Sequence, residues 1–181
     1  RSLTVSGGVN AVTFGGAIGQ ASTGAQGLES LTVNTTGTTS LGGNIRTADV
    51  AGNNVSFSGP VTLTNNATIL TDRATNDGNI ALAGAVSGDT ALNRRTLTLT
   101  AGSGTIDNGA GAATGAFGTI ALGGVTATAG TARFGAITTT GGTNQDGGNV
   151  DLTGTTLLSV GGTITASGGA TPTVAGRNAG S

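Results

Sequence analysis

The chain has 181 residues, of which 36 are Gly and nearly as many are Thr, while 35% are hydrophobic and 2% aromatic. His, Cys, Met, Trp, Tyr and Lys are absent, and Glu29 is the only glutamate; this removes imidazole bases, thiolate and Schiff-base nucleophiles and thiolate or imidazole zinc sites. A formal charge of −1 with no basic run argues against nucleic acid, whose affinity rests on Lys and Arg neutralising phosphates.

No apolar run approaches the roughly 18 residues that span a bilayer. The chain opens Arg-Ser-Leu-Thr with neither Met nor a signal peptide, the pattern expected of an excerpt from something longer. Without Cys there is no disulfide scaffold. A disordered Gly/Thr linker is opposed by a mean hydropathy of +0.15, because disorder goes with low hydrophobicity.

In chain order, short segments recur with an apolar residue at both ends and a small or polar one between. They are Leu3-Thr4-Val5, Val12-Thr13-Phe14, Leu31-Thr32-Val33, Val55-Ser56-Phe57, Val61-Thr62-Leu63, Ile80-Ala81-Leu82, Leu97-Thr98-Leu99, Ile120-Ala121-Leu122 and Val150-Asp151-Leu152. This alternation is the period of a strand with one buried face, and no helix-period stretch competes with it. Between the segments lie Gly7-Gly8, Gly15-Gly16, Gly42-Gly43, Gly123-Gly124, Gly141-Gly142, Gly147-Gly148 and Gly161-Gly162, with Asp77-Gly78 and Asn108-Gly109. Each is expected to mark a corner and to supply positive φ. Pro60 and Pro172, the only prolines, fall at expected strand edges or turns, where a missing N–H is tolerated.

The chain also repeats. Arg1-Ser-Leu-Thr-Val5 matches Arg95-Thr-Leu-Thr-Leu99 at an offset of 94, and Asn54-Val-Ser-Phe-Ser-Gly59 matches Asn149-Val-Asp-Leu-Thr-Gly154 at 95. Inside this long period, Asn54–Gly59 resembles Asn79-Ile-Ala-Leu-Ala-Gly84 at an offset of 25, close to one turn of a solenoid. The expected architecture is therefore all-β, a parallel β-solenoid without helices. One continuous segment over residues 1–181 would hold one superrepeat over about 1–94 and a second over about 95–181. With about 20 to 25 residues per coil it would have about eight coils and a length of roughly 40 Å. The core would be narrow, with Phe14, Phe57, Phe117 and Phe134 as its only large members. A string of β-sandwich domains of about 95 residues is the rival, opposed by the scarcity of aromatics and by the finer period.

The blocks Ser2-Leu-Thr-Val5, Val12-Thr-Phe-Gly-Gly-Ala-Ile18, Gly27-Leu-Glu-Ser-Leu-Thr-Val33, Thr38-Thr-Ser-Leu-Gly-Gly43 and Asp77-Gly-Asn-Ile-Ala-Leu-Ala-Gly84 resemble the strand repeats of giant bacterial surface proteins. These are the filamentous-haemagglutinin-type adhesins and autotransporter passenger regions, and the likeness covers almost the whole chain. The resemblance implies a right-handed parallel β-helix, export across the outer membrane of a Gram-negative bacterium, and a role in adhesion or as a stalk.

Several residues invite chemistry. Thr4, Thr13, Thr32, Thr62 and Thr98 occupy the outward middle of their triplets, as β-branched residues suited to a solvated strand face do. An ice-binding Thr array would need the same residue throughout, yet Ser56, Ala81, Ala121 and Asp151 share that position. Asp146 with Asp151, and Asp72 with Asp77, are the carboxylate pairs a polysaccharide-cleaving β-helix could use; a spacing of five puts their members on opposite faces of a continuous strand. Asp-Gly at 77–78 and 146–147 fits turn chemistry better. Asp146-Gly-Gly-Asn149 is only a fragment of a calcium-binding repeat. Asn34, Asn54 and Asn66 begin glycosylation sequons, which chance supplies readily in so Thr-rich a chain, and the resemblance leaves glycosylation there open. For Asn54 the structural role is an inward or corner Asn bonded to the adjacent coil, as for Asn44, Asn79 and Asn149 at equivalent places. Arg94-Arg95 fits a solvated corner.

No catalytic, cofactor-binding or metal residue is assigned, and no cofactor. The expected function is a non-enzymatic structural or adhesive shaft segment of a large secreted or cell-surface bacterial repeat protein, with a polysaccharide-active β-helix or an ice-binding solenoid as alternatives. The expected partners are neighbouring repeats or copies of itself end to end, and a host-cell, matrix or carbohydrate surface. Neither nucleic acid nor a transmembrane segment in this stretch is expected.

Overall fold

In a computed structural model, residues 1–19, 27–109, 115–142 and 145–169 are described; Pro172 and the tail Thr171 to Ser181 lie outside them. The strands are β1 (Leu3–Gly8), β2 (Val12–Phe14), β3 (Leu31–Thr35), β4 (Thr39–Leu41), β5 (Ile45–Arg46), β6 (Val55–Phe57), β7 (Val61–Leu63) and β8 (Ala67–Leu70). There follow β9 (Ile80–Leu82), β10 (Val86–Gly88), β11 (Thr96–Thr100), β12 (Thr105–Asp107), β13 (Gly124–Phe134), β14 (Ile137–Thr138), β15 (Asn149–Val160) and β16 (Ile164–Thr165). No helix occurs among the described residues, and every strand pair is parallel.

The strands stack on three faces of a coil. The first face carries β1, β3, β6, β9, β12 and the second halves of β13 and β15. On the second lie β2, β4, β7 and β10, then Phe117, which bridges Val86 to Ile137, then β14 and β16. The third begins at Ile18, paired with Ile45, and continues through β5, β8, β11 and the first halves of β13 and β15. The protein is a parallel β-solenoid.

Seven levels on the first face make six turns, in the register Leu3–Leu31–Val55–Ile80–Ile106–Ala132–Leu158. Hydrogen bonds between equivalent corners measure the turn directly: one spans 25 residues from Asn54 to Asn79, and the next spans 26 residues from Asn79 to Thr105. The expected eight coils are thus about six, because a turn uses slightly more chain than assumed; at about 4.8 Å per level the stack is about 29 Å tall. The short sequence period is one turn, since β6 and β9 are register neighbours.

The offset near 94 behaves differently. It carries β1 on the first face to β11 on the third, and β6 on the first face to the first half of β15 on the third. Counted along the coil, it spans eleven faces, which is three turns and two faces more.

Corner lengths shift along the stack while the turn stays nearly constant. Between the third and first faces the connection falls from 47–54 and 71–79 to 101–104, and then closes up as β13 and β15 run through it. Between the second and third faces it grows from 42–44 and 64–66 to 89–95, 118–123 and 139–148. Chain removed at one corner reappears at the other.

The interior is one apolar column. Leu31, Val33, Val55, Phe57, Ile80, Leu82, Leu97, Leu99, Ile106 and Phe134 are all buried, and burying each aliphatic member is worth about 1.5 to 3 kcal/mol. Phe117 and Phe134 meet with ring centroids 5.7 Å apart, and Phe14 packs on the core half-buried. As the triplets require, Ser56 lies between buried Val55 and Phe57 with its side chain turned outward. Asp151 is exposed between Val150 and Leu152, which are only half-buried because they stand near the end of the described stack.

Two expectations are corrected. Ile120-Ala121-Leu122 is not a strand: Ile120 is exposed and only Leu122 is buried, because Phe117 already fills the inward position of the second face at that level. Of the glycines in the pairs and in Asp77-Gly78 and Asn108-Gly109, only Gly8 and Gly109 have positive φ. The others mostly serve close approach between coils. A Cβ on Gly43 would lie 2.5 Å from the Gly16 carbonyl carbon, and one on Gly84 2.5 Å from that of Gly59.

Candidate functional site

At the corners, side-chain amides tie successive coils. The side-chain oxygens of Asn44, Asn54 and Asn79 accept the backbone amides of Thr68, Asn79 and Thr105, each at 2.8 Å, and that of Asn66 accepts the Thr96 amide at 3.1 Å. The role expected for Asn44, Asn54 and Asn79 is therefore present, and Asn66 joins them. Two of the three sequon asparagines, Asn54 and Asn66, are committed to this ladder. Asn34 is exposed on β3, in register with Ser6.

Two buried amides escaped the sequence reading. The Asn53 amide nitrogen donates to the carbonyls of Ala48, Thr71 and Asn76, and that of Asn108 to those of Leu82 and Gly84. Asn108 directly follows β12 and Asn53 lies near the end of the 47–54 corner, and each serves carbonyls at or beyond strand ends, a need that only the folded corner reveals.

The outward Thr positions do not build a uniform array. On the first face the middle column reads Thr4, Thr32, Ser56, Ala81, Asp107, Arg133, Ser159. On the third it reads Thr68, Thr98, Thr126, Asp151.

Asp72 and Asp77 lie at one corner, as the turn chemistry of Asp77-Gly78 leads one to expect, so the opposite-face rule of a continuous strand does not apply to them. They belong to the 71–79 corner, not to a strand, and the Asp77 carboxyl is near enough to act on that of Asp72. Asp77 accepts the Arg73 amide at 3.0 Å and both the amide and the hydroxyl of Ser103 at 2.8 Å. The Ser103 amide and hydroxyl hold the Asp77 carboxyl below the ordinary carboxylate range. Partial loss of solvent and then the neighbouring Asp77 carboxyl push Asp72 upward. Asp77 is a clamp between coils. Asp146 and Asp151, the other candidate pair, are both exposed, one in the 139–148 corner and one on β15.

Arg94 and Arg95 part company. Arg95 forms a bidentate pair with Asp89, Nε to Oδ1 at 3.0 Å and Nη2 to Oδ2 at 2.9 Å, which lowers the Asp89 carboxyl to about 2. Asp89 also accepts the Thr90 amide and the Asn93 side-chain amide, each at 2.9 Å, so the 89–95 corner is braced internally. Arg94 has φ 45 and turns toward the third face, donating to the carbonyls of Asp146 and Thr139. Beside it an open groove of about 530 Å³ runs over β11, β13 and β15, lined among others by Thr96, Thr98, Thr126 and Asn149. Sequence reasoning missed this groove because the signal was a lengthened corner, visible only once the coils are in register.

No protein-family model, curated protein or solved structure matches the chain. Among the described residues no group of three or more acidic side chains could hold a metal ion, and no helix is long and apolar enough to cross a membrane.

Proposed function

We propose that the chain is a structural and adhesive shaft segment of a large secreted or cell-surface bacterial repeat protein, without enzymatic activity of its own. The observation that supports this reading is the continuous apolar column, buried from Leu31 to Ile137, inside a stack of six turns. Each level is bonded to the next by parallel ladders, and between the second and fifth levels the corners are also tied by Asn44, Asn54, Asn66 and Asn79. Such a stack resists bending and adds length in proportion to chain, which is what a spacer requires. The outward columns, mixed and small in side chain, suit solvent. Neighbouring repeats or further copies end to end are the partners this reading names.

The test is accessibility and reach. Antibodies raised against the folded chain should label intact producing cells, and removing this stretch from its parent protein should reduce attachment to host cells or matrix. Labelling only after permeabilisation, or unchanged attachment, would overturn the reading.

A further inference from the structure

We propose that Asn108-Gly109 is a modification site gated by the fold. The pair is held intact in the stacked coil; once that coil opens, Asn108 loses its amide nitrogen as ammonia and the opening becomes permanent. The inference does not depend on the shaft reading.

The pair is labile in an unfolded chain. Asn108-Gly109 is the only Asn-Gly step in the sequence, and glycine, having no Cβ, gives its backbone nitrogen the least hindered approach to the preceding carboxamide carbon. In the reaction the Gly109 nitrogen gives its proton to hydroxide and bonds to Cγ of Asn108; the Cγ–Nδ2 bond breaks, and ammonia leaves with a proton from water. Water then opens the cyclic imide at either carbonyl, leaving an aspartyl or an isoaspartyl residue. The only co-reactant is water.

The folded corner opposes each part of this reaction. Asn108 is completely buried, directly after β12. Its Nδ2, the leaving group, donates to the carbonyls of Leu82 at 3.0 Å and Gly84 at 3.3 Å in the preceding coil. Its backbone amide donates to the Arg133 carbonyl of the following coil at 2.9 Å, so the residue is pinned from both sides. The nucleophile is engaged too: the Gly109 amide donates to Asp107 Oδ1 at 2.8 Å, with Gly109 at φ 71. Ring closure needs the carboxamide to swing off the Leu82 and Gly84 carbonyls, which would then lose a donor away from water. Cyclisation therefore waits for local opening, and its rate follows the open population.

The product does not fit the place the amide left. A carboxylate only accepts hydrogen bonds, and here it would face the Leu82 and Gly84 carbonyls with its charge buried. The pocket has no donor to spare, since the Asn108 Oδ1 is itself enclosed without a partner. The isoaspartyl product also lengthens the main chain between positions 108 and 109, where the Gly109 amide has to reach Asp107. A chain altered while open is lost to the native state, so a transient opening at this level is recorded permanently.

Mass spectrometry of the 96–133 peptide, released from the full chain by cleavage after Arg95 and Arg133, tests this; Asn108 is the only side-chain amide in that peptide. The chain is kept folded, or unfolded in urea, in the same mildly alkaline buffer. Expected is replacement of the Asn108 amide by a hydroxyl in urea, and replacement at least about ten-fold slower in the folded chain. On dilution from urea, converted chains should stay unfolded or show a lowered urea midpoint by circular dichroism. Chains kept in urea at mildly acidic pH, where the Gly109 amide keeps its proton, should be unconverted and refold fully. Asn108→Asp should show the deficit of the converted chain without ageing. Conversion as fast in the folded chain as in urea, refolding of converted chains with an unchanged midpoint, or wild-type stability of Asn108→Asp would each overturn the proposal.

Discussion

Phe57 and the acidic corners locate where single residues matter. Phe57 is fully enclosed between β3 and β9; Phe57→Ala should cost about 3 to 5 kcal/mol through the cavity it leaves, and Phe57→Asp more, by placing an unpaired charge in the column. Urea denaturation reads both, and a loss under about 1 kcal/mol for Phe57→Asp would contradict the packing. Acid should act through the carboxyls. The Asp89 carboxyl is lowered by its bond to Arg95 to about 2 from 3.8, and Asp77 is lowered by Ser103. Asp49 loses some solvent, yet the Asn76 side chain and the Asn76 and Thr75 amides lower it on balance. Lowered acids stabilise the fold above their unfolded value, and that contribution disappears as pH falls through the folded value. Asp72 is raised and has the opposite sign, favouring the fold as it protonates. The urea midpoint should therefore hold or rise slightly as pH approaches 4 and fall steadily from there toward 2, with Asp89→Asn showing a shallower acid limb. Inward and outward residues were legible from the triplets, since parity decides facing in a strand. The nearness of Asp72 to Asp77 was not, because parity says nothing once the chain leaves the strand.

Among the elements, the strands are nearly interchangeable and the corners are not. Short strands such as β6, β7 and β9 cannot persist alone; they hold because each is paired on both sides. The Asn ladder supplies the corner share. Asn79→Ala removes the acceptor for Thr105 and should cost about 1 kcal/mol, read as a lower denaturation midpoint and faster exchange of the Thr105 amide. Gly84→Ala should cost more, since its Cβ would meet the Gly59–Pro60 backbone, which cannot move aside without parting two coils. Glycine pairs announced these corners in the sequence, but for a different reason than the one they serve. Glycine is selected here chiefly by the backbone stacked above or below, a neighbour one full turn away along the chain that local reading does not see. The Ile120-Ala121-Leu122 segment failed for the same cause: its alternation is genuine, but Phe117 had already taken the inward place.

For the whole molecule, far-UV circular dichroism should show strand with essentially no helix, and a helical fraction above about a fifth would be incompatible with this stack. Unfolding should follow neighbour-to-neighbour coupling along one dimension. Removing residues 55–79, a single turn between β6 and β9, should leave a shorter, folded solenoid with a proportionally lower unfolding enthalpy by calorimetry; complete loss of folding would argue against stacked, nearly equivalent turns. Architecture was readable from composition and two periods, because a narrow core repeated many times writes itself into the chain many times. The groove beside Arg94 occurs once, and a single feature leaves no period.

The eleven-face relation between matching segments bears on how such a chain can lengthen. A segment from the first face reappears on the third, and the same alternation serves both places, with Val55 and Phe57 buried on the first face and Leu97 and Leu99 buried on the third. A duplication would therefore not have to respect a whole turn. Copying one strand with its corner rotates everything downstream by a third of a circle and still delivers apolar side chains to the axis. The reading frame of this fold is the side of the triangle, and insertions or deletions in multiples of that side should be tolerated in the gene where other lengths are purged.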